Sequence, residues 1–175
     1  MSVVLVLAAC LYLVAGVAYF GFKKQGFSHF RHTISELGEY GSLQSKVVSW
    51  GLFLPVGVGL MAVAILGSSV VAGLAASIGT GYIVAAFFPC DVGSPMMGTW
   101  RQTIHNLGGF AQYAGGAYFI YIASQPLFPL LRIASALIFI CSLLLSIESL
   151  PLRGLVQRFA EVLLFSVTIY LTINV

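Results

Sequence analysis

Three histidines, one isolated loop carboxylate and two arginines are the side chains of this sequence best suited to chemistry. His29 and His32 lie in Phe27-Ser28-His29-Phe30-Arg31-His32-Thr33-Ile34-Ser35-Glu36-Leu37-Gly38. Asp91 lies in Phe88-Pro89-Cys90-Asp91, and Arg101 and His105 follow it. An imidazole can serve as base, metal ligand or headgroup donor. Asp91 or His105 could manage the proton of a bound water. Each residue also has a plainer reading. Thr33 and Glu36 fit a capping box, in which the carboxylate reaches back to a free backbone N–H. Ser35 can bond its local backbone, and Asp91 can close a turn onto its own. His105 opens an apolar segment, where a single hydrogen bond would account for it.

The elements that must carry these residues are helices in lipid. Hydrophobic residues make up 59% of the chain and charged residues 7%, with a mean hydropathy of +1.01. A soluble domain carries about 25% charged residues, so water is not the main solvent here. Lipid leaves only helical bundles and closed barrels, and the apolar runs are continuous and too long for barrel strands. An all-α polytopic membrane helical bundle is expected, a single domain over 1–175. Six spans are predicted at about 2–22, 47–66, 68–88, 104–124, 130–147 and 155–173, each near the ~20 residues a crossing needs. Leu7-Ala8-Ala9-Cys10 looks like a lipoprotein cleavage box, but the apolar stretch runs on past it and no basic residue precedes it. The first segment is therefore read as a retained helix.

Charge is distributed unevenly over these spans. The first, third and fifth connections and their borders carry Lys23, Lys24, Arg31, Lys46, Arg101, Arg153 and Arg158, and the other face carries only Arg132. Short cytoplasmic loops collect Lys and Arg, so the crowded face is predicted to be cytoplasmic, both termini outside, and the protein in the inner (plasma) membrane. The basic residues flank spans instead of forming a stripe, which does not suit nucleic acid. The second and third spans hold no ionisable residue, which disfavours an ion path, since such paths need polar groups through the membrane. Cys10, Cys90 and Cys141 form no C-x-x-C pair, so no redox relay is indicated.

Two helix faces stand out. Gly73, Ser77, Gly81 and Ala85 place a small residue every four positions, a stripe that admits a close helix, either within the chain or in a second copy or another membrane protein. His105, Gly109, Gln112 and Gly116 share one face of the fourth span and should look into the bundle. Glu161 follows Arg158 by three residues, a spacing for a salt bridge, and it should face inward, where it could complete a polar cluster. Thr33–Gly38 echoes Thr103–Gly108 in four of six positions, which leaves an internal duplication open.

Arg31-His32-Thr33-Ile34-Ser35-Glu36-Leu37-Gly38, Phe88-Pro89-Cys90-Asp91 and His105-Asn106 together resemble the domain-of-unknown-function family 998, prokaryotic multi-pass membrane proteins. The resemblance covers most of the chain and implies that Ser35, Asp91 and His105 are signature positions; it implies no activity. The chain is similar, more loosely, to membrane hydrolases of the alkaline ceramidase and adiponectin-receptor type. Those hold zinc with a Ser-x3-His element, an Asp and a late His-x3-His. Ser28, His32, Asp91 and His105 stand at the matching elements, and the late pair is missing. A catalytic zinc needs three protein ligands, which His29, His32 and His105 could supply if the first loop folded back onto the bundle.

The expectation is thus a polar pocket at the cytoplasmic rim, taking a lipid headgroup or small amphiphile through Arg31, His32, Ser35, Glu36, Asp91, Arg101, His105 and Gln112. The rival readings are a zinc-assisted lipid hydrolase, with Asp91 and His105 catalytic, and a subunit or assembly factor of a membrane complex.

Overall fold

The computed structural model of the chain describes residues 2–124 and 129–175. Among these are six long helices: α1 (Ser2–Lys23), α2 (Ser45–Leu66), α3 (Ser69–Phe87), α4 (Trp100–Ala123), α5 (Pro129–Leu145) and α6 (Arg153–Asn174). No strand occurs among the described residues. The helices follow the apolar segments of the sequence within a few residues. The largest shift is at α4, which starts at Trp100 because Thr99 caps it, its side chain accepting from the Gln102 N–H at 3.4 Å. The outer turn expected at 125–129 lies almost wholly outside the described residues.

Consecutive helices pack side by side, α6 closes back on α1, and α3 meets α6 across the middle. The three longer connections therefore share one end. Leu60, Leu74, Ile78, Ile120, Leu164 and Leu171 fill the centre, all at 2% exposure or less. Leu11, Val58, Phe110, Leu143 and Val162 point outward with equal apolarity. Apolar residues inside and outside alike describe helices solvated by lipid. The chain is an all-α polytopic membrane bundle. By length and composition α1, α2, α3 and α6 are sufficient to cross a bilayer, while α5 is shorter and apolar. α4 is long but carries Arg101, Gln102, His105 and Asn106 in its first two turns and Gln112 at its middle.

Pro55 leaves α2 continuous but not regular. Proline has no N–H to give to the carbonyl four residues back, which here is Gly51. The helix widens to π geometry at Ser49–Phe53, and the Tyr12 hydroxyl of α1 donates to Gly51 O at 2.5 Å. The small-residue stripe of α3 is used within the chain. A Cβ on Gly73 would fall 2.5 Å from a Phe119 ring carbon, one on Gly115 2.7 Å from Ser77 Oγ, and one on Gly81 2.6 Å from Gln112 Cβ. The close neighbour this stripe admits at Gly73, Ser77 and Gly81 is α4 of the same chain. The sequence echo has no structural counterpart either: Ser35–Gly38 is a 3-10 turn, whereas 103–108 is α-helical.

The first loop folds back over the end of the bundle. Its Ile34 and Leu37 are buried at 4% and 0% exposure. Ile34 N–H donates to Gln157 Oε1 at 2.5 Å, Leu155 N–H to Phe30 O at 3.0 Å, and Arg158 Nη1 to His32 O at 3.0 Å. A buried loop needs its backbone groups satisfied, and α6 satisfies them.

Candidate functional site

Two polar helix faces meet beneath this loop. On α4, His105, Gly109 and Gln112 lie along one stripe. On α6, Arg153, Gln157 and Glu161 recur every four residues, so they too share a face. Where the faces meet the loops, a cavity of about 160 Å³ is lined by Ser35, Ser94, His105, Asn106, Arg153 and Gln157, among others. A second polar chamber of about 30 Å³ lies deeper and is bounded by Tyr82, Gln112, Tyr113 and Glu161. Ser35, His105, Gly109, Tyr113 and Gln157 line both.

His105, 8% exposed, has Nδ1 2.9 Å from Phe88 O. A carbonyl can only accept, so Nδ1 is the donor, and in the neutral ring Nε2 is left as an acceptor. Asn106 spans the mouth: its amide donates to Pro95 O and Met96 O and accepts from Gln102. Glu161 is 6% exposed, and its Oε1 accepts from Gln112 Nε2 at 2.6 Å and Tyr113 OH at 2.7 Å. The buried Tyr82 hydroxyl of α3 lies against the same carboxylate. The salt bridge with Arg158 does not form. Positions three apart diverge by about 60° around a helix, and Arg158 turns to the first loop, bonding His32 O, Gly154 O and His29 Nδ1.

Of the predicted ligand set, the seam assembles Ser35, His105 and Gln112. The others serve elsewhere. Glu36 is the capping residue, its Oε1 accepting from Thr33 N–H at 2.8 Å while Thr33 Oγ1 accepts from Glu36 N–H at 3.3 Å. Arg31 is exposed, and His32 Nδ1 accepts from Ser28 N–H at 2.8 Å. Asp91 knots its own loop to the start of α4. Its carboxylate accepts from Thr99 N–H at 2.7 Å, Thr99 Oγ1 at 2.9 Å and Arg101 Nη2 at 3.2 Å, while Arg101 stacks 3.5 Å over Tyr40. The Thr99 N–H, with help from the Thr99 hydroxyl and Arg101, holds the Asp91 carboxyl below the usual carboxylate range against some desolvation. Loop order that depends on this carboxylate is therefore present above the ordinary Asp range and lost as pH falls below it.

The first loop does fold back, but it does not bring the histidines together. Among the described residues no three His, Cys, Asp or Glu side chains are placed to hold a metal ion. His29 sits instead at the mouth of a separate apolar groove of about 340 Å³ between α1 and α6. Burial and the neighbouring Arg158 lower its pKa, consistent with Nδ1 accepting from the guanidinium. The zinc ligand set does not fit this fold. Cys90, in the second loop, is buried against Ser35 of the first, and desolvation, followed by Glu36 and Glu39, pushes its thiol up to about 12. A thiol held so far from its thiolate is a small packing group rather than a nucleophile.

Arg153, Gln157, Tyr113, Asn106, Ser94 and Tyr82 line the site without having been singled out from the sequence. The four-residue spacing of Arg153, Gln157 and Glu161 is the signal that would have found three residues of the seam together.

The chain matches the family described as "Protein of unknown function (DUF998)" over residues 6–174. It belongs to that family. No curated protein and no solved structure matches it.

Proposed function

We propose that this protein binds the headgroup of a lipid or small amphiphile in the 160 Å³ cavity at the cytoplasmic end of a six-span bundle. One observation carries the reading: polar side chains from the first loop, the second loop, α4 and α6 converge on one cavity at the bundle end. Convergent polar groups in a concave site are the ordinary form of a small-ligand pocket. The polar lining is hydroxyl, amide, imidazole and guanidinium, which suits a headgroup, and the adjoining outer helix faces are apolar, which suits a tail. The cations gathered at this end support its placement at the inner face of the plasma membrane, with both termini outside. A phosphatase reporter fused after Val175 should then be active and a fluorescent reporter there dark; the reverse pattern would invert the orientation.

Gly109 provides the test of binding. A Cβ at this position would meet nothing within 4 Å, although the residue lines both chambers. Gly109→Leu should fill the cavity without a clash at its Cβ, and leucine is the better helix former by roughly 0.8–1 kcal/mol. The variant should remain folded in mild detergent and lose at least about tenfold of the lipid retained by the native chain in native mass spectrometry. Equal lipid retention by the two proteins would refute a ligand in this cavity.

A further inference from the structure

Arg153 is 8% exposed and lines the rim cavity. Its partners among the described residues are all carbonyl oxygens: Nη1 donates to Gly93 O at 3.1 Å, and Nη2 to Ser94 O at 2.9 Å and Leu145 O at 3.1 Å. The ion pairs among the described residues are Lys24–Glu39 and Arg101–Asp91, so no carboxylate neutralises it. Its Nε is buried and has no hydrogen-bond partner. A buried charge is costly unless paired, and a guanidinium is a permanent cation with five N–H donors. Three carbonyl bonds position this group without cancelling its charge. Thr33, Ser35, Ser94, Asn106, Ser142 and Ser146 line the same space; Thr33, Asn106 and Ser146 already donate to protein oxygens, which leaves Ser35, Ser94 and Ser142 as neutral donors. A cation among neutral donors, without a carboxylate, is the arrangement that selects an oxyanion.

We propose that Arg153 is the anion-binding residue of the rim cavity and that the ligand carries a phosphate or carboxylate group there. The proposal rests on the cavity being a headgroup site and specifies the charge of that headgroup. The carbonyls of Gly93, Ser94 and Leu145 hold the guanidinium in the cavity wall with two of its five N–H donors unused; its charge attracts the anion, and the serine hydroxyls supply secondary bonds. Other carboxylates at this end are engaged elsewhere: Glu148 accepts from Met96 N–H and Glu36 caps its turn, while Glu161 lies two turns further along α6.

The experiment compares short-chain phosphatidic acid, phosphatidylcholine and diacylglycerol of equal chain length, with inorganic phosphate as a fourth probe, on the full chain in non-ionic detergent. Phosphatidic acid should bind at least about tenfold more tightly than diacylglycerol, as expected for a charge-assisted contact, with phosphatidylcholine, whose phosphate is offset by its own choline cation, between them. Ser94→Asp should abolish that preference by supplying Arg153 with an internal carboxylate. Ser94 has φ 47°, a backbone conformation that aspartate tolerates, so this variant should stay folded where Arg153→Met would release three carbonyls. Arg153→Lys, which keeps the charge but not the planar guanidinium fork, should weaken phosphatidic acid binding while leaving diacylglycerol binding unchanged. Phosphate binding as strong as that of phosphatidic acid would keep the oxyanion site and make its source soluble. Equal affinity for all three lipids in native and Ser94→Asp protein would overturn the anion assignment. The headgroup cavity would then survive if Gly109→Leu still blocked binding, and both readings would fall if it did not.

Discussion

A single methyl group on Gly154 should unseat the first loop. A Cβ there would sit 2.7 Å from His29 O and 2.9 Å from the His32 carbonyl carbon, with His32 O nearer still. All three atoms are backbone, so no rotamer change can make room. The loop is held at this point by Leu155 N–H on Phe30 O and Arg158 on His32 O, and Ile34 N–H is held by Gln157. Overpacking against an otherwise satisfied backbone costs about 1–3 kcal/mol, and more where nothing yields; Gly154→Ala should lie at the top of that range. Thermal unfolding in detergent should register the loss, and limited proteolysis should newly cut within 24–44. A Gly154→Ala protein with native stability and a protected loop would show that the loop does not rest on α6 as described.

The second large effect is expected at Glu161. Glu161→Leu removes the common acceptor of Gln112 Nε2 and Tyr113 OH, leaving two buried donors on α4 unsatisfied. An unsatisfied buried polar group costs about 1–3 kcal/mol, so the pair should cost on the order of 2–5 kcal/mol. Glu161→Gln keeps an acceptor oxygen at the same place and should lose much less. The contrast between the two variants is diagnostic, because a residue merely filling space would tolerate leucine better than glutamine. Denaturation followed by the accessibility of the buried Cys90 and Cys141 thiols gives the readout. Equal stability of the leucine and native proteins would remove Glu161 from the seam.

These two positions also mark where sequence reading succeeds and where it stops. The α4 face of His105, Gly109 and Gln112 was legible because residues three and four apart must share a helix surface, and in lipid a polar surface turns inward. The capping role of Glu36 was legible for the same reason: a reciprocal Thr33–Glu36 bond spans three residues and needs no distant partner. Asp91 divides the case. Asp91 and Arg101 were expected in one polar layer and do pair, but the contact that most lowers the Asp91 pKa is the Thr99 N–H, set by a loop geometry that composition does not encode.

What the sequence by itself determined is the solvent and the architecture. Continuous apolar runs of bilayer length, with charge confined to their ends, admit only helices whose backbones are satisfied internally. What only the tertiary structure decided is which polar residues share a cavity. Arg31, His32 and Asp91 looked like one site because they fall in the same loop layer, yet each is used locally or left to solvent. Arg153, Gln157 and Tyr113 line the rim cavity instead, because the first loop docks on α6 and α3 and α6 meet across the middle of the bundle. Residues more than a hundred positions apart, such as Ile34 and Gln157, are brought together by that docking, and local spacing carries no trace of it.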